Sequence, residues 1–225
     1  MVKVARKADA TPIVPVKLMS EIQAFVETHQ SELVVSTLNG FVVLDGKLTI
    51  TGPKGPFDVY QIYMGIPANF PLSEPVVFET DGRVPRIADR HVFVDGKNCC
   101  LGVWEEWLLT PGDHSFSGFM RGPLNDYFMS QSWYEVHTEW PFGQRSHGKL
   151  GILEAYCSLL EIDLHLQSAL SYLNLLARKQ IKGHQLCPCG SGQRLRSCHS
   201  EKVHGLQNRI SPEMAGQMLR GLVAK

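Results

Sequence analysis

Four residues near the end of the chain form a pattern that is typical of a metal site. Three cysteines and one histidine lie between residues 187 and 199, at Cys187, Cys189, Cys198 and His199. Thiolate sulfurs and an imidazole nitrogen together are a common ligand set for tetrahedral Zn²⁺, and the glycines between them allow the backbone to wrap around an ion. Four protein ligands leave no coordination position open for a substrate. The pattern therefore predicts a structural zinc ion and not a catalytic one.

This segment resembles the SEC-C motif, a zinc-binding tail that is found chiefly on bacterial proteins. The resemblance is carried by the run Cys-Pro-Cys-Gly-Ser-Gly that begins at Cys187 and by the pair Cys198-His199. It implies zinc binding and contact with a partner protein. Basic side chains surround the motif, at Lys182, Arg194, Arg196 and Lys202. Such a cluster is more typical of a solvated face than of a nucleic-acid site, so nucleic acid is not expected as a partner.

A second candidate site is a pair of adjacent thiols. Cys99 and Cys100 lie in the run from Asp95 to Leu101, Asp-Gly-Lys-Asn-Cys-Cys-Leu. A thiolate can accept an acyl group as a thioester and then pass it to an amine. On an extended backbone the two side chains point to opposite sides, so we expect one thiol to face a groove. The alternative is that both cysteines are buried core residues.

The segment around the thiols resembles the ubiquitin-conjugating (UBC) fold. That family has a proline turn, a strand, a His-Pro-Asn segment and then a Cys-Leu pair with a tryptophan nearby. The matching positions here are the proline turn over residues 70–75 (Phe-Pro-Leu-Ser-Glu-Pro), the strand over residues 76–80, His91, Cys100-Leu101, Trp104 and Trp107. The resemblance implies that Cys100 is the nucleophile, with Cys99 as the alternate, and that His91 braces the loop.

The sequence departs from the UBC pattern at one position. Phe93 occupies the place of the family's asparagine, whose side chain stabilises an oxyanion. Asn98, or backbone amides of the loop, are candidates to replace it. Asp113 and His114, which follow a Pro-Gly turn, are candidates for deprotonating the acceptor. The departure affects transfer to lysine more than it affects formation of a thioester.

The elements that must position these residues indicate an α+β fold. Apolar residues at three- and four-residue spacing predict a helix from Val16 to about residue 29, and alternating runs predict an antiparallel meander. The predicted strands cover residues 33–37, 41–44, 47–51, 58–66 and 76–79. Hairpin turns are predicted at Asp45-Gly46 and over residues 52–56. Further helices are predicted over residues 116–129, 148–160, 164–179 and 212–223, whereas residues 81–111 have few periodic signals.

These elements divide the chain into five predicted segments. They are a flexible arm over residues 1–15, a UBC-like domain over 16–145, a helical connector over 146–182, the SEC-C zinc motif over 183–204 and a C-terminal helix over 205–225. The expected fold is thus a UBC-like antiparallel meander with flanking helices, followed by helices and a small zinc module.

The totals exclude several classes of function. Basic and acidic residues number 22 each, giving zero formal net charge, so broad binding to nucleic acid or to an anionic membrane is not expected. No apolar run is long enough to span a bilayer, and the N-terminus lacks a secretory signal pattern. We expect a cytoplasmic protein, whose six cysteines are metal ligands, reactive thiols or core residues rather than a disulfide framework.

Together the two resemblances imply a bacterial UBC-like protein with a SEC-C tail. Bacterial proteins of this kind are encoded in antiphage operons, beside an enzyme that makes cyclic nucleotides. The implied function is a cysteine-dependent transferase whose thiol forms a thioester with the C-terminus of a protein partner, such as a nucleotidyltransferase or a ubiquitin-like modifier. Two alternatives stay open: a non-catalytic UBC-fold adaptor with the zinc module as a second docking site, and a SEC-C protein of unrelated α+β fold that acts in nucleic-acid or chaperone-like binding.

Overall fold

The computed structural model describes residues 13–141, 143 and 145–223. Most of the predicted flexible arm over residues 1–15 lies outside these residues. The described chain forms two compact units. Unit 1 runs up to Gly102 and continues from Gly112 to the residues before Gly143, and unit 2 consists of Val103–Pro111 and the chain from Gly143 onwards. The segment Val103–Pro111, which the sequence analysis places in the first domain, therefore belongs to unit 2.

Unit 1 begins with a helix that is followed by a four-stranded antiparallel sheet. Helix α1 (Val16–His29) buries an apolar stripe, Leu18, Ile22, Phe25 and Val26, as its spacing predicts. The strands are β1 (Leu33–Leu38), β2 (Phe41–Gly52), β3 (Gly55–Pro67) and β4 (Val76–Glu79). They pair in chain order, and every pair is antiparallel. The predicted α+β class and the antiparallel meander are confirmed.

The hairpin turn predicted at Asp45-Gly46 is wrong. Strand β2 passes through both residues without a break and pairs there with β1 on one side and β3 on the other. Gly46 has a φ of 137°, and a Cβ on it would lie 2.2 Å from the carbonyl oxygen of Glu32. The glycine therefore allows two backbones to approach closely. The turn into β2 lies instead at Asn39 and Gly40, whose left-handed φ angles of 50° and 80° suit a two-residue hairpin.

The helix predicted over residues 116–129 is longer than expected and has a break. Helices α3 (Phe116–Phe119) and α4 (Asn125–His137) are separated by a π-helical turn, Met120–Leu124. Pro123 lies in this turn. Because proline has no N–H to donate, it interrupts the helical hydrogen-bond ladder.

The core of unit 1 lies between the sheet and the helices α1, α3 and α4. Completely buried side chains come from the middle of β3 and from the two later helices, namely Ile62, Met64, Ile66, Phe116, Phe119 and Phe128. The ring of Phe128 lies 4.6 Å from that of Tyr60. This packing presents one face of α4 to the sheet and to the segment that follows β4.

Arg83 fastens the segment after β4 to β3 and α4. Its Nη1 and Nη2 donate to the two carboxylate oxygens of Asp58 at 2.9 and 2.6 Å, and Nη2 also donates to Glu135 at 2.7 Å. The guanidinium carbon lies 4.3 Å above the ring of Tyr60, and the Ser132 hydroxyl donates to Asp58 at 2.6 Å. Because hydrogen bonds from Arg83 outweigh the effect of burial, the pKa of Asp58 is lowered from an ordinary value of 3.8 to about 2.

Unit 2 is helical. Its helices are α2 (Trp104–Leu109), α5 (Gly148–Leu159), α6 (Leu166–Leu176), α7 (Ser200–Arg209) and α8 (Pro212–Val223). Periodic apolar residues predict α5, α6 and α8 but not α2 or α7, and α7 crosses the predicted boundary between residues 204 and 205. The buried core includes Tyr156, Leu173, Leu176, Val203, Leu206 and Met218. Among the described residues, no helix has the length and apolar character that crossing a membrane requires.

Candidate thiol site and candidate metal centre

After β4 the chain of unit 1 forms a short two-stranded loop, which we call the thiol loop (residues 91–100). Val92 lies opposite Cys99 in an antiparallel bridge. On either side of it, the Phe93 amide donates to the Asn98 carbonyl at 2.9 Å and the Cys100 amide donates to the His91 carbonyl at 2.8 Å. These bonds set the register in which each cysteine is presented.

Cys99 occupies the inner side of the thiol loop. Its amide donates to the carbonyl of Val77 in β4 at 2.7 Å, and its side chain is 2% exposed. The sulfur hydrogen-bonds with the hydroxyl of Tyr127, but burial has the larger effect and raises the pKa of the thiol to about 11. Cys99 is therefore an enclosed, protonated thiol at neutral pH.

Cys100 occupies the other side of the thiol loop, as alternation along an extended backbone requires. It is half-buried, as is Asn98 two residues before it. Burial raises the pKa of the Cys100 thiol, the nearby carboxylate of Glu74 raises it further, and a hydrogen bond from the Gly102 amide lowers it. Of the two adjacent thiols, Cys100 is thus the accessible one, but it is not activated by its surroundings.

His91 contributes to the thiol loop through its backbone. It has a left-handed conformation (φ 50°, ψ 48°), its amide donates to the Ala88 carbonyl at 2.8 Å, and its carbonyl accepts from Cys100. The imidazole ring lies edge-to-face on Trp140 with the ring centres 4.7 Å apart. The backbone of His91 therefore joins the residue before the loop to the strand that carries Cys100, and a bracing role for its side chain stays a prediction.

The remaining candidates for catalysis lie at different places in unit 1. Asn98 is within the thiol loop on the same side as Cys100, and Phe93 is 48% exposed in the same loop. Asp113 and His114 belong to a separate segment before α3. The carboxylate of Asp113 accepts from the Ser115 amide at 2.9 Å, and hydrogen bonds from the side chain and then the backbone of Ser115 lower the pKa of Asp113. Its visible role is to shape the start of α3, and acceptor deprotonation stays a prediction.

Residues outside the sequence motifs connect the thiol loop to α4 and order the turn after β4. Arg90 precedes His91 and contacts one face of α4, through Gln131 at 2.9 Å and through the ring of Tyr134 at 4.8 Å. Glu79, at the end of β4, accepts from the amide of Asp81 at 2.8 Å and so orders the turn that follows. On α4, Tyr127, Gln131 and Tyr134 recur at four- and three-residue spacing. This spacing is the one sequence signal that they share a face of the helix.

The candidate metal centre lies in unit 2. The side-chain donor atoms of Cys187, Cys189, Cys198 and His199 all lie within 4.8 Å of one another. His199 Nδ1 is 3.3 Å from Cys187 Sγ and 3.1 Å from Cys198 Sγ, and the sulfurs of Cys189 and Cys198 are 3.6 Å apart. The residues that the sequence groups by spacing are therefore grouped in space.

Local backbone structure forms the cluster. The amide of Cys187 donates to the Gln193 carbonyl at 2.9 Å, which closes a small loop. Within that loop Gly190 and Gly192 have φ angles of 81° and 74°, a conformation that glycine adopts without a steric cost. Ser191, which sequence reasoning does not single out, has its hydroxyl 3.2 Å from Cys189 Sγ, and this hydrogen bond lowers the pKa of Cys189 to about 6.

Three of the donor separations are close to those around a tetrahedral ion. Bonds of about 2.3 Å to sulfur and about 2.0 Å to nitrogen place the ligand atoms of such an ion roughly 3.5 to 3.8 Å apart. The separations of 3.1, 3.3 and 3.6 Å are slightly shorter, and all four donor atoms lie within 4.8 Å of one another. Burial raises the pKa of Cys187 to about 11, so a bound cation would provide the positive charge that makes its thiolate favourable. The cluster can therefore hold a metal ion.

In comparisons with known proteins, no protein-family model, no curated protein and no solved structure matched the chain.

Proposed function

We propose that this chain is a UBC-like, thioester-forming acyl carrier and transferase whose nucleophile is Cys100. The observation that carries the proposal is the presentation of two adjacent thiols: Cys99 is enclosed at 2% exposure, and Cys100 is half-buried on the other side of the thiol loop. A thiol at the surface of a loop that is fixed by backbone hydrogen bonds is suited to receive an incoming acyl group.

The order of elements supports the UBC-like part of the proposal. Unit 1 has an N-terminal helix, four antiparallel strands in sequential order, a proline turn between β3 and β4, the thiol loop and then two helices. The proline turn, β4 and the thiol loop correspond to features on which the sequence resemblance rests. The Cys-Leu pair lies at the end of the thiol loop, which the Cys99 amide joins to the Val77 carbonyl of β4.

The proposed chemistry is an exchange of thioesters followed by acyl transfer. The sulfur of Cys100 attacks the carbonyl carbon of an activated donor, the donor's C–S bond breaks, and the thiol proton leaves with the departing thiol. An acceptor amine then attacks the new thioester, and Cys100 takes back a proton as a free thiol. Because burial raises the pKa of Cys100, the first step requires a donor that is already activated.

A synthetic peptide with a C-terminal alkyl thioester tests the first step without any other protein. We expect an increase in intact mass equal to the acyl group, reversed by excess dithiothreitol, in the wild type and in Cys99→Ser. The same increase is expected to be lost in Cys100→Ser. An adduct that persists in Cys100→Ser, or that forms in none of the three folded proteins, contradicts the proposal.

A second candidate function is a non-catalytic adaptor of the same fold. The observation that favours it is the apolar tip of the thiol loop, where Phe93 is 48% and Val94 63% exposed. Exposed apolar side chains at a loop tip are typical of protein contacts. The adaptor predicts no thioester with the peptide but binding to a partner that Phe93→Ser abolishes, whereas the transferase predicts the thiol-labile adduct.

We also propose that the cluster in unit 2 is a structural zinc site of the SEC-C type and that its module docks a partner protein. The donor set of three sulfurs and one nitrogen supports zinc over harder ions that prefer oxygen. Protein purified without chelators is expected to contain about one zinc per chain by elemental analysis. Cys189→Ser is expected to lose it and Cys157→Ala, which removes a thiol outside the cluster, to retain it. A folded, metal-free wild type contradicts the assignment.

A further inference from the structure

One face of α4 holds the residue that precedes the thiol loop. Gln131 is completely buried. Its Nε2 donates to the Arg90 carbonyl at 2.8 Å, and its Oε1 accepts from Arg90 Nε at 2.9 Å. One amide group therefore holds both the backbone and the side chain of Arg90. The hydroxyl of Tyr127, one helical turn earlier, donates to the same carbonyl at 3.4 Å.

Arg90 is enclosed although it carries a charge. It is 9% exposed, and its guanidinium carbon lies 4.8 Å above the ring of Tyr134. Within the part of the chain that the structure describes, its Nη2 has no hydrogen-bond partner. Burial of a guanidinium with an unsatisfied N–H is unfavourable, so other contacts of Arg90 must offset this cost. One of them is made by its backbone carbonyl, which accepts from Gln131 immediately before the chain enters the thiol loop.

Arg90 immediately precedes His91, whose carbonyl pairs with the Cys100 amide. The next residue, His91, has a left-handed backbone, which a residue with a side chain keeps only where its surroundings hold it. The His91 carbonyl accepts from the Cys100 amide at 2.8 Å, and the Cys99 amide donates to Val77 at 2.7 Å. Arg90 is thus adjacent in the chain to the residue whose carbonyl pairs with Cys100.

We propose that Gln131 and Arg90 form a register clamp that presents Cys100, rather than Cys99, on the open side of the thiol loop. Shifting a paired strand by one residue moves every side chain to the opposite face, and with two adjacent cysteines such a shift exchanges the buried and the accessible thiol. Gln131 and Arg90 are positioning residues. Their effect on acyl transfer rests on the proposed function, but their effect on thiol accessibility does not.

Alkylation by iodoacetamide measures the clamp directly. Cys99→Ser reports Cys100 alone, and Cys100→Ser reports Cys99 alone. Trypsin releases residues 98–121 as one peptide that contains both positions and no other cysteine, so mass spectrometry gives the rate at each. We expect Cys100 to react faster than Cys99, and Gln131→Leu to reduce the ratio of the two rates by about tenfold, the equilibrium effect of about one buried hydrogen bond.

Gln30→Leu is the matched control. Gln30 also makes two hydrogen bonds through its amide, both at 2.9 Å, but to the backbone of Thr49 and away from the thiol loop. It is expected to lower stability without changing the ratio. Gln131→Glu, which keeps an acceptor for Arg90 Nε and loses the donor to the Arg90 carbonyl, is expected to give an intermediate ratio.

The outcomes separate the clamp from the proposed function. If Gln131→Leu does not fold, Gln131→Glu, which loses only the donor to the Arg90 carbonyl, must shift the ratio in the same direction. A ratio in folded variants that stays equal to that of Gln30→Leu overturns the clamp. If the ratio shifts but the peptide thioester never reacts, the clamp holds and the transferase proposal fails. If the peptide thioester reacts at Cys100 but the ratio does not shift, the clamp is overturned and the transferase proposal stands.

Discussion

The hydrogen bonds between Arg83 and Asp58 should stabilise the folded protein in a pH-dependent way. Asp58→Asn keeps the size of the side chain but removes the charge that meets Arg83 in two hydrogen bonds of 2.9 and 2.6 Å. In the folded protein the pKa of Asp58 is about 2, against an ordinary value of 3.8. A lowering of this size corresponds to about 2.4 kcal/mol.

Solvent reduces that figure. The Asp58 side chain is 23% exposed and that of Arg83 35%, and ion pairs that contact water contribute less than their hydrogen-bond geometry implies. We therefore expect Asp58→Asn to lower the free energy of unfolding by about 1 kcal/mol at neutral pH. Because the folded-state pKa lies below the unfolded one, this stabilisation is complete above about pH 4 and is lost as the pH falls towards about 2.

The assay is urea denaturation of the wild type and of Asp58→Asn between about pH 2 and neutral pH, with circular dichroism as the readout of unfolding. The difference between the two should disappear as the pH falls. Asp45→Asn, at an exposed position of β2, is the control for loss of a carboxylate. A double-mutant cycle with Arg83→Met should show a coupling of about 1 kcal/mol. A difference that is independent of pH, or a coupling near zero, refutes the reasoning.

Three further predictions follow from packing and from the metal cluster. Gly46→Ala should destabilise the protein by about 2 kcal/mol or more in urea denaturation, because its Cβ would meet the Glu32 carbonyl at 2.2 Å. Gly55→Ala is the control, since Gly55 also has a positive φ but nothing lies within 4 Å of a Cβ there. Phe128→Ala should cost about 3 to 5 kcal/mol and Val34→Ala, at a side chain 67% exposed, almost nothing. Removing metal with a chelator should reduce the helical circular dichroism of unit 2, and zinc but not magnesium should restore it.

The elements that could be predicted are those whose signal is local and strong. Helix α1 has a clear apolar stripe, and α8 begins at Pro212, a residue favoured in the first turn of a helix. Helix α7 is missed because its ten residues include Gly205 and bury Val203 and Leu206 alone, too few to give a periodic pattern. Helix α2 has six residues, which is shorter than the window in which periodicity can be recognised.

The two candidate sites differ in how much of them the sequence reveals. The four metal ligands lie within one short segment, and their spacing alone indicates that they meet. The support of the thiol loop does not follow from spacing, because Arg90 and Gln131 are 41 residues apart and either alone is an ordinary polar residue. Local patterns predict periodicity and turns, whereas a hydrogen bond between distant buried groups depends on how the elements pack.

Access, rather than acidity, is what distinguishes the two adjacent thiols. Burial raises the pKa of both Cys99 and Cys100, so neither is a ready nucleophile at neutral pH. The Gly102 amide lowers the pKa of Cys100 while Glu74 opposes it. The proposed acyl transfer therefore starts from a carbonyl that is already activated as a thioester. Selectivity between the two sulfurs then depends on the register of the thiol loop, which the contacts of Arg90 with α4 maintain.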